Sequence, residues 1–210
     1  HVFGIRGNRV DMGEIEAALL ALDWVKQAAV TSVLRQAGEP MLVAYLVLPD
    51  SLPPQAKPTV SQVRKALTGH LPSYMIPAHF VFLPALPLTV NGKVDRTALP
   101  AAPDGRPALD VAYMAPRTPI ERALVAIWCS VLALTDIGVD DPFLDLGGNS
   151  LQATRIVTRV LEEFSVTLSL AKFFAAATVA EMALLLTQQL ANQVAVAELD
   201  KLLADVEALN

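Results

Sequence analysis

Apolar residues recur along this chain in more than one rhythm, and the change of rhythm divides it. Ile15, Ala18, Leu19 and Leu22 fall at the i, i+3, i+4, i+7 spacing of one helix face and predict a helix over 13–22. Asp11, Glu14 and Glu16 stand near its start, where the positive end of the helix dipole favours acids. That position explains Glu14 and Glu16 better than a paired acid–base role does. The β-branched apolar runs AAVTSVLR (28–35) and MLVAYLVL (41–48), parted by QAGEP with its Gly and Pro, predict a hairpin. Thr59 and Gln62 form a capping box ahead of Val60, Val63, Leu67 and Leu71, and HFVFL (79–83) supplies a further strand.

From about residue 118 the pattern is helical throughout. Thr118, Pro119 and Glu121 supply an N-cap, a first-turn proline and a capping-box acid for a helix with Ile120, Leu124, Ile127 and Val131 on one face. After a long loop, TDIGVDDPFLDLGGN, a helix begins at about Ser150 with Ala153, Ile156, Val157, Val160 and Phe164 inward. A short helical segment near 170–174 and a helix opening at Thr178, with Glu181 closing a third capping box, complete a four-helix bundle. Val196, Leu199, Leu202, Leu203, Val206 and Leu209 form a last amphipathic stripe. The predicted architecture is an α+β small lobe of antiparallel strands with helices, then an all-α four-helix bundle and a C-terminal helix.

Composition places the boundary. LPAAPDGRPALDVAYMAPRTP (99–119) carries five prolines and reads as an extended, semi-rigid linker. The expected organisation is a lobe over 1–99, a linker over 100–117, the bundle over 118–192 and the terminal helix over 193–210. Residues 1–105 hold nine Lys or Arg against eight Asp or Glu, whereas 106–210 hold seven against thirteen. An acidic half without a basic stripe speaks against nucleic acid and suits basic protein surfaces. The longest apolar stretch, 123–134, is well short of the ~20 residues of a membrane span, so no membrane association is expected. The single Cys129 cannot close an intrachain disulfide and reads as a small core residue in a protein of the reducing cytoplasm. His1, His70 and His79 show no metal-ligand spacing with one another or with Cys129, and no metal is assigned. The abrupt start, without a secretory signal, suggests an excised piece of a longer chain.

Two motifs carry chemistry. DPFLDLGGNSL puts Ser150 after two glycines at the mouth of a helix, where free N–H groups and the dipole suit a phosphate, although N-capping alone would also explain a serine there. The whole second domain resembles the peptidyl carrier proteins, matching their pattern at Asp141, Phe143, Leu146, Gly147, Gly148, Ser150 and Leu151. The resemblance implies that Ser150 carries 4′-phosphopantetheine, whose thiol holds an amino acid or peptide as a thioester, and that Leu151 meets the phosphopantetheinyl transferase and partner enzymes. Asn149 stands where His or Asp is more usual.

The first domain has its own motifs. IRGNRVDMGEIE (5–16), LPSYMIPAHFVFL (71–83) and NGKVDR (91–96) resemble, in order, the last three core motifs of the adenylation domains of nonribosomal peptide synthetases. In NGKVDR, Asn91 and Gly92 readily take the positive φ angles of a tight turn, displaying Lys93 at or beside its tip. By the resemblance Lys93 is the catalytic lysine, bridging the substrate carboxylate and the α-phosphate region of ATP as an acyl adenylate forms. The resemblance further implies that the lobe rotates after adenylation, withdrawing Lys93 and presenting Arg6 and Gly7 to the channel of the pantetheine arm. Gly4 stands where a lysine is common. ATP and Mg would be held mainly by an upstream large lobe that this chain lacks, and condensation or thioesterase domains would be further partners. Two rival readings are a non-catalytic carrier and interaction module, and an adenylation–carrier tail feeding a hybrid polyketide line.

Overall fold

A computed structural model describes residues 2–5, 8–34, 38 and 40–207. The chain divides into two compact units, His1–Asp110 with Asp145–Gly147, and Val111–Leu144 with Gly148–Asn210.

In the first unit, β1 (Val2–Ile5) and β2 (Asn8–Asp11) pair antiparallel as a ribbon that has no counterpart among the predicted elements. Asp11 then caps α1 (Met12–Leu20), accepting from the Gly13 N–H at 2.9 Å. Ile15 and Leu19 turn α1 onto β3 (Gln27–Leu34), which pairs antiparallel with β4 (Pro40–Val47) in the expected hairpin. Residues 42–47 of β4 are all buried, as befits the central strand of a sheet covered on both faces. β5 (His79–Phe82) adds to β4 in the parallel sense, Val43 opposite His79 and Leu46 opposite Phe82, so the sheet is mixed in the order β3–β4–β5. The expected α+β lobe of antiparallel strands with helices is present, and its third strand is added in the parallel sense. Between β4 and β5 lies α2 (Val60–Thr68), and a helical crossover returns the chain to the same end of the sheet. The capping box of α2 is present in both directions, Gln62 N–H to Thr59 Oγ1 and Thr59 N–H to Gln62 Oε1, each 3.2 Å.

Ala29, Val43, Tyr45, Val47 and Leu86 form one core cluster, with Val94, Leu99 and Ala102 packed against it. The Tyr45 hydroxyl donates to the Pro100 carbonyl at 2.7 Å, and the Val60 N–H donates to the Ala108 carbonyl, also at 2.7 Å. With Leu109 buried as well, the opening half of the Pro-rich stretch lies bonded to the lobe without helix or strand of its own.

The second unit is helical. In α3 (Pro119–Leu132) the capping box is formed as expected, but the fully buried row is Leu124, Trp128 and Leu132, while Ile120, Ile127 and Val131 are half-buried. The large indole selects the face that meets the core. Glu121 is buried beside Arg117, whose guanidinium donates to it at 2.8 Å. α4 (Ser150–Phe164) turns Ala153, Ile156 and Val160 inward, and α5 (Leu170–Ala175) contributes Phe173. α3 and α4 each end on a left-handed residue, Ala133 at φ 57° and Ser165 at φ 54°.

α6 runs unbroken from Val179 to Glu207, so the last bundle helix and the expected separate terminal helix are one. No Gly or Pro interrupts it. Val179, Met182, Ala183 and Leu186 are buried, whereas Val194, Val196, Leu199 and Leu202 are more than half exposed. Among the described residues no helix is long and apolar enough to cross a membrane.

Candidate functional site

Two sites follow from the two motifs, one in each unit. In the first, the chain between Pro87 and Asp95 folds back on itself: Leu88 bridges Val94, the Asp95 N–H donates to the Pro87 carbonyl at 2.8 Å, and Thr89 N–H reaches the Lys93 carbonyl at 2.7 Å. The Gly92 N–H closes the turn onto the Thr89 carbonyl at 2.9 Å with φ of 76° at Gly92. Among the described residues Gly92 is the turn's only positive φ, so Asn91 does not share it. The result is a three-residue turn ending on a left-handed glycine rather than a two-residue turn with two positive angles. Lys93 follows it directly and is exposed.

Each residue after Lys93 is fixed by a different force. Val94 packs on the sheet cluster. The Asp95 carboxylate accepts from the Thr97 hydroxyl at 2.6 Å and from the Thr97 and Ala98 N–H groups at 3.0 and 3.3 Å, capping a short 3-10 turn. The Thr97 hydroxyl bond leads in holding that carboxyl below the usual carboxylate range. Arg96 reaches Glu16 of α1, Nη2 to Oε1 at 2.6 Å. Glu16 is thereby a tie between elements, which its place in the helix's opening turns did not reveal. Arg6 and Gly7, expected at the pantetheine channel, lie outside the described residues.

In the second unit the loop before α4 is locked by packing. Phe143 stands edge-on to Trp128 (centroids 5.3 Å apart, 76° between planes) and to Phe173 (4.8 Å, 87°), and all three rings are buried. A Cβ on Gly148 would lie 2.4 Å from the Phe143 ring, so only glycine lets the chain pass. The Phe143 N–H donates to the Ala177 carbonyl at 2.9 Å and the Gly148 N–H to the Phe143 carbonyl at 3.0 Å. Buried Asp141 accepts from the Gly138 N–H at 2.7 Å. Gly147 takes φ of 83° to make the corner.

Ser150 emerges from this corner exposed, as the first residue of α4. The cap is Asn149, whose Oδ1 accepts from the Leu151 N–H at 3.0 Å and the Gln152 N–H at 3.1 Å. Two consequences follow. The Ser150 hydroxyl is not consumed by capping, and two of the N–H groups expected to face a phosphate are already bonded, which leaves the dipole itself as the attraction. A cap at Asn149 also gives a structural duty to the residue that departs from the usual pattern. Leu151 is 39% exposed and turns outward beside Ser150. Cys129 is half-buried, and burial pushes its thiol pKa up.

The chain matches two family models: "AMP-binding enzyme C-terminal domain" over residues 14–93 and "Phosphopantetheine attachment site" over 122–186. It is 43% identical over 182 residues to tyrocidine synthase 2 of Brevibacillus parabrevis, a match spanning 87% of this chain and 5% of that protein. It is 40% identical over 207 residues to gramicidin S synthase 2 of Brevibacillus brevis, spanning 98% of this chain and 4% of that protein. A solved structure of a four-domain nonribosomal peptide synthetase bound to AMP and glycine aligns with 88% of this chain and 13% of that one, at 32% identity and a TM-score of 0.43. The two matched segments define an adenylate-forming enzyme's C-terminal domain followed by a carrier. The chain belongs to the nonribosomal peptide synthetases, as the C-terminal subdomain of an adenylation domain joined to a carrier domain. A phosphopantetheine attachment domain implies 4′-phosphopantetheine as its cofactor.

Proposed function

We propose that this chain is the mobile lobe and carrier of a module that activates an amino acid with ATP and holds it covalently, with Ser150 the attachment residue and Lys93 the catalytic lysine. The chain spans about a twentieth of the curated relatives it matches, so the activity belongs to a larger protein whose upstream large lobe completes the adenylation site. In this reading the lobe occupies 1–99, the linker 100–117, the carrier 118–192 and the terminal segment 193–210.

The observation that carries the reading is the state of Ser150: exposed, first in its helix, and relieved of capping by Asn149. The residues fit the cofactor, because a phosphodiester at this exposed oxygen would stand at the positive end of α4. When bound, the arm supplies a thiol that holds the acyl group as a thioester. Phe143 and Gly148 fix the corner from which the arm would swing, and exposed Leu151 suits contact with a phosphopantetheinyl transferase. In the lobe, the Lys93 ammonium is a compact charge on a short turn, placed to offset negative charge developing between a carboxylate and an α-phosphate. After that step the lobe would withdraw Lys93 and bring Arg6 and Gly7 toward the arm. Condensation or thioesterase domains are the downstream partners of this reading, and the cytoplasm is its setting.

The test is intact mass after incubation with coenzyme A, Mg and a phosphopantetheinyl transferase. A single phosphopantetheinyl addition is expected, absent in Ser150→Ala. Unmodified protein, in a reaction that loads a control carrier to completion, would rule the attachment out.

A further inference from the structure

The open edge of β3 is covered by two side chains from distant parts of the lobe. Glu16 Oε1 accepts from the Val30 N–H at 2.8 Å and from Arg96 Nη2 at 2.6 Å, and Arg96 Nε donates to the Val30 carbonyl at 3.4 Å. Among the described residues, β3 in the order β3–β4–β5 has β4 on one side only, and both polar groups of the Val30 peptide backbone are met by this ion pair instead of by a strand. A carboxylate takes the N–H and a guanidinium takes the C=O, so the pair occupies the edge as a neighbouring strand would. The same pair joins α1, β3 and the segment that follows the Lys93 turn.

Among the described residues no other polar tie of this kind is made by the turn. Its own bonds, Thr89 N–H to the Lys93 carbonyl and Lys93 N–H to Thr89 Oγ1 at 3.3 Å, close the loop on itself and leave its direction undetermined. Val94 contributes packing, which is non-directional. Arg96, three residues on, supplies the directional contact to the sheet.

We infer that Arg96, braced by Glu16 across the Val30 edge, is the positioning residue for Lys93 and thereby a determinant of the adenylation rate; this rests on the reading of Lys93 as the catalytic lysine. In this inference Arg96 acts through Lys93 rather than on a reacting group. Its removal leaves the turn folded and lets the ammonium wander from its place. A displacement of about 1 Å at a catalytic group can cost up to a hundredfold in rate. Lysine at 96 keeps the charge but cannot hold Glu16 and the Val30 carbonyl with one fork, so it restores only part of the loss.

The experiment uses the intact module. ATP–pyrophosphate exchange gives kcat and KM for adenylation, and transfer from a supplied aminoacyl adenylate to the loaded carrier gives the second half-reaction. For Arg96→Ala we expect kcat for exchange to fall roughly tenfold to a hundredfold, KM to stay within about twofold, and transfer to be unchanged. Arg96→Lys should lie between Arg96→Ala and the parent. Equal loss in both half-reactions, or a lowered melting temperature that accounts for the loss, would make Arg96 a plain structural residue and overturn the inference. Unchanged exchange in Arg96→Ala, while Lys93→Ala loses it, would overturn the inference alone. Unchanged exchange in Lys93→Ala would overturn the reading of Lys93 and this inference with it.

Discussion

The Lys93 turn and the Ser150 corner solve the same task by opposite means. Each presents one exposed polar side chain just past a glycine-dependent bend. At Ser150 the bend is wedged against the mutually packed rings of Phe143, Trp128 and Phe173. At Lys93 the turn touches the sheet through half-buried Val94 and an ion pair, and a Cβ on Gly92 would meet nothing within 4 Å. Burial supplies free energy without direction, whereas a partly exposed ion pair supplies direction with little net free energy. The serine corner should therefore be hard to disturb without unfolding its unit, and the lysine turn easy to misdirect with little loss of stability.

The largest effect should come from breaking the packed half. Phe143→Ala removes the ring that meets Trp128, Phe173 and the Gly148 backbone, and it should cost about 3–5 kcal/mol of the carrier unit's stability. Urea unfolding of the carrier unit would read this directly. A loss near zero would mean that the corner is held by its backbone hydrogen bonds rather than by the rings.

A smaller effect tests whether directional bonds matter inside the packed unit too. The Glu121 carboxylate accepts from Arg117 Nη2 at 2.8 Å, the Arg117 N–H at 2.6 Å and the Thr118 N–H at 3.2 Å. The Arg117 side-chain bond leads in holding its pKa below the usual glutamate value. A depressed folded pKa means that the contribution is complete above the unfolded value, near 4.3, and is lost as pH falls through the lower folded one. Glu121→Ala should cost roughly 2 kcal/mol at neutral pH, and the gap to the parent should close in acid below about pH 4. Unfolding midpoints at a series of pH values would check both size and direction. A gap that stays constant into acid would mean that charge plays no part.

Much of this was legible beforehand, for reasons that vary by element. The capping boxes at Thr59 and Thr118 were readable because they depend on residues three apart. The β3–β4 hairpin was readable from two apolar runs around a turn. β1 and β2 were not, since each is four residues long, too short for an alternation to stand out. The parallel sense of β5 is a matter of topology that its own residues do not encode. In α3 a stripe through Ile127 was as consistent with the spacing as the actual one through Trp128, and only packing decides between neighbouring faces. The continuity of α6 was hidden because its apolar stripe shifts after Leu190, although its backbone meets no breaker. At the proposed sites, the motifs pointed to Lys93 and Ser150 but not to what holds them. Glu16, Arg96 and Val30 are 80 positions apart at the extreme, and nothing local to any of them announces the edge they share.

The smallest effect, and the sharpest on the contrast between the two bends, is Gly92→Ala. Gly92 needs its φ of 76° and nothing else, because a Cβ there would point into open space. The cost is therefore that of a left-handed alanine, about 1 kcal/mol, with no steric addition. Gly148 is the reverse case: its backbone is not in the left-handed region, but its Cβ would fall on the Phe143 ring. The two glycines are thus required for unrelated reasons, conformation in one and space in the other. Asparagine tolerates the left-handed region better than alanine does, so Gly92→Asn should recover part of the loss. Denaturant unfolding of the lobe in Gly92→Ala and Gly92→Asn checks that order. If both variants lost equal stability, the turn's demand would be for space after all, and the distinction drawn between the two bends would fail at its simplest point.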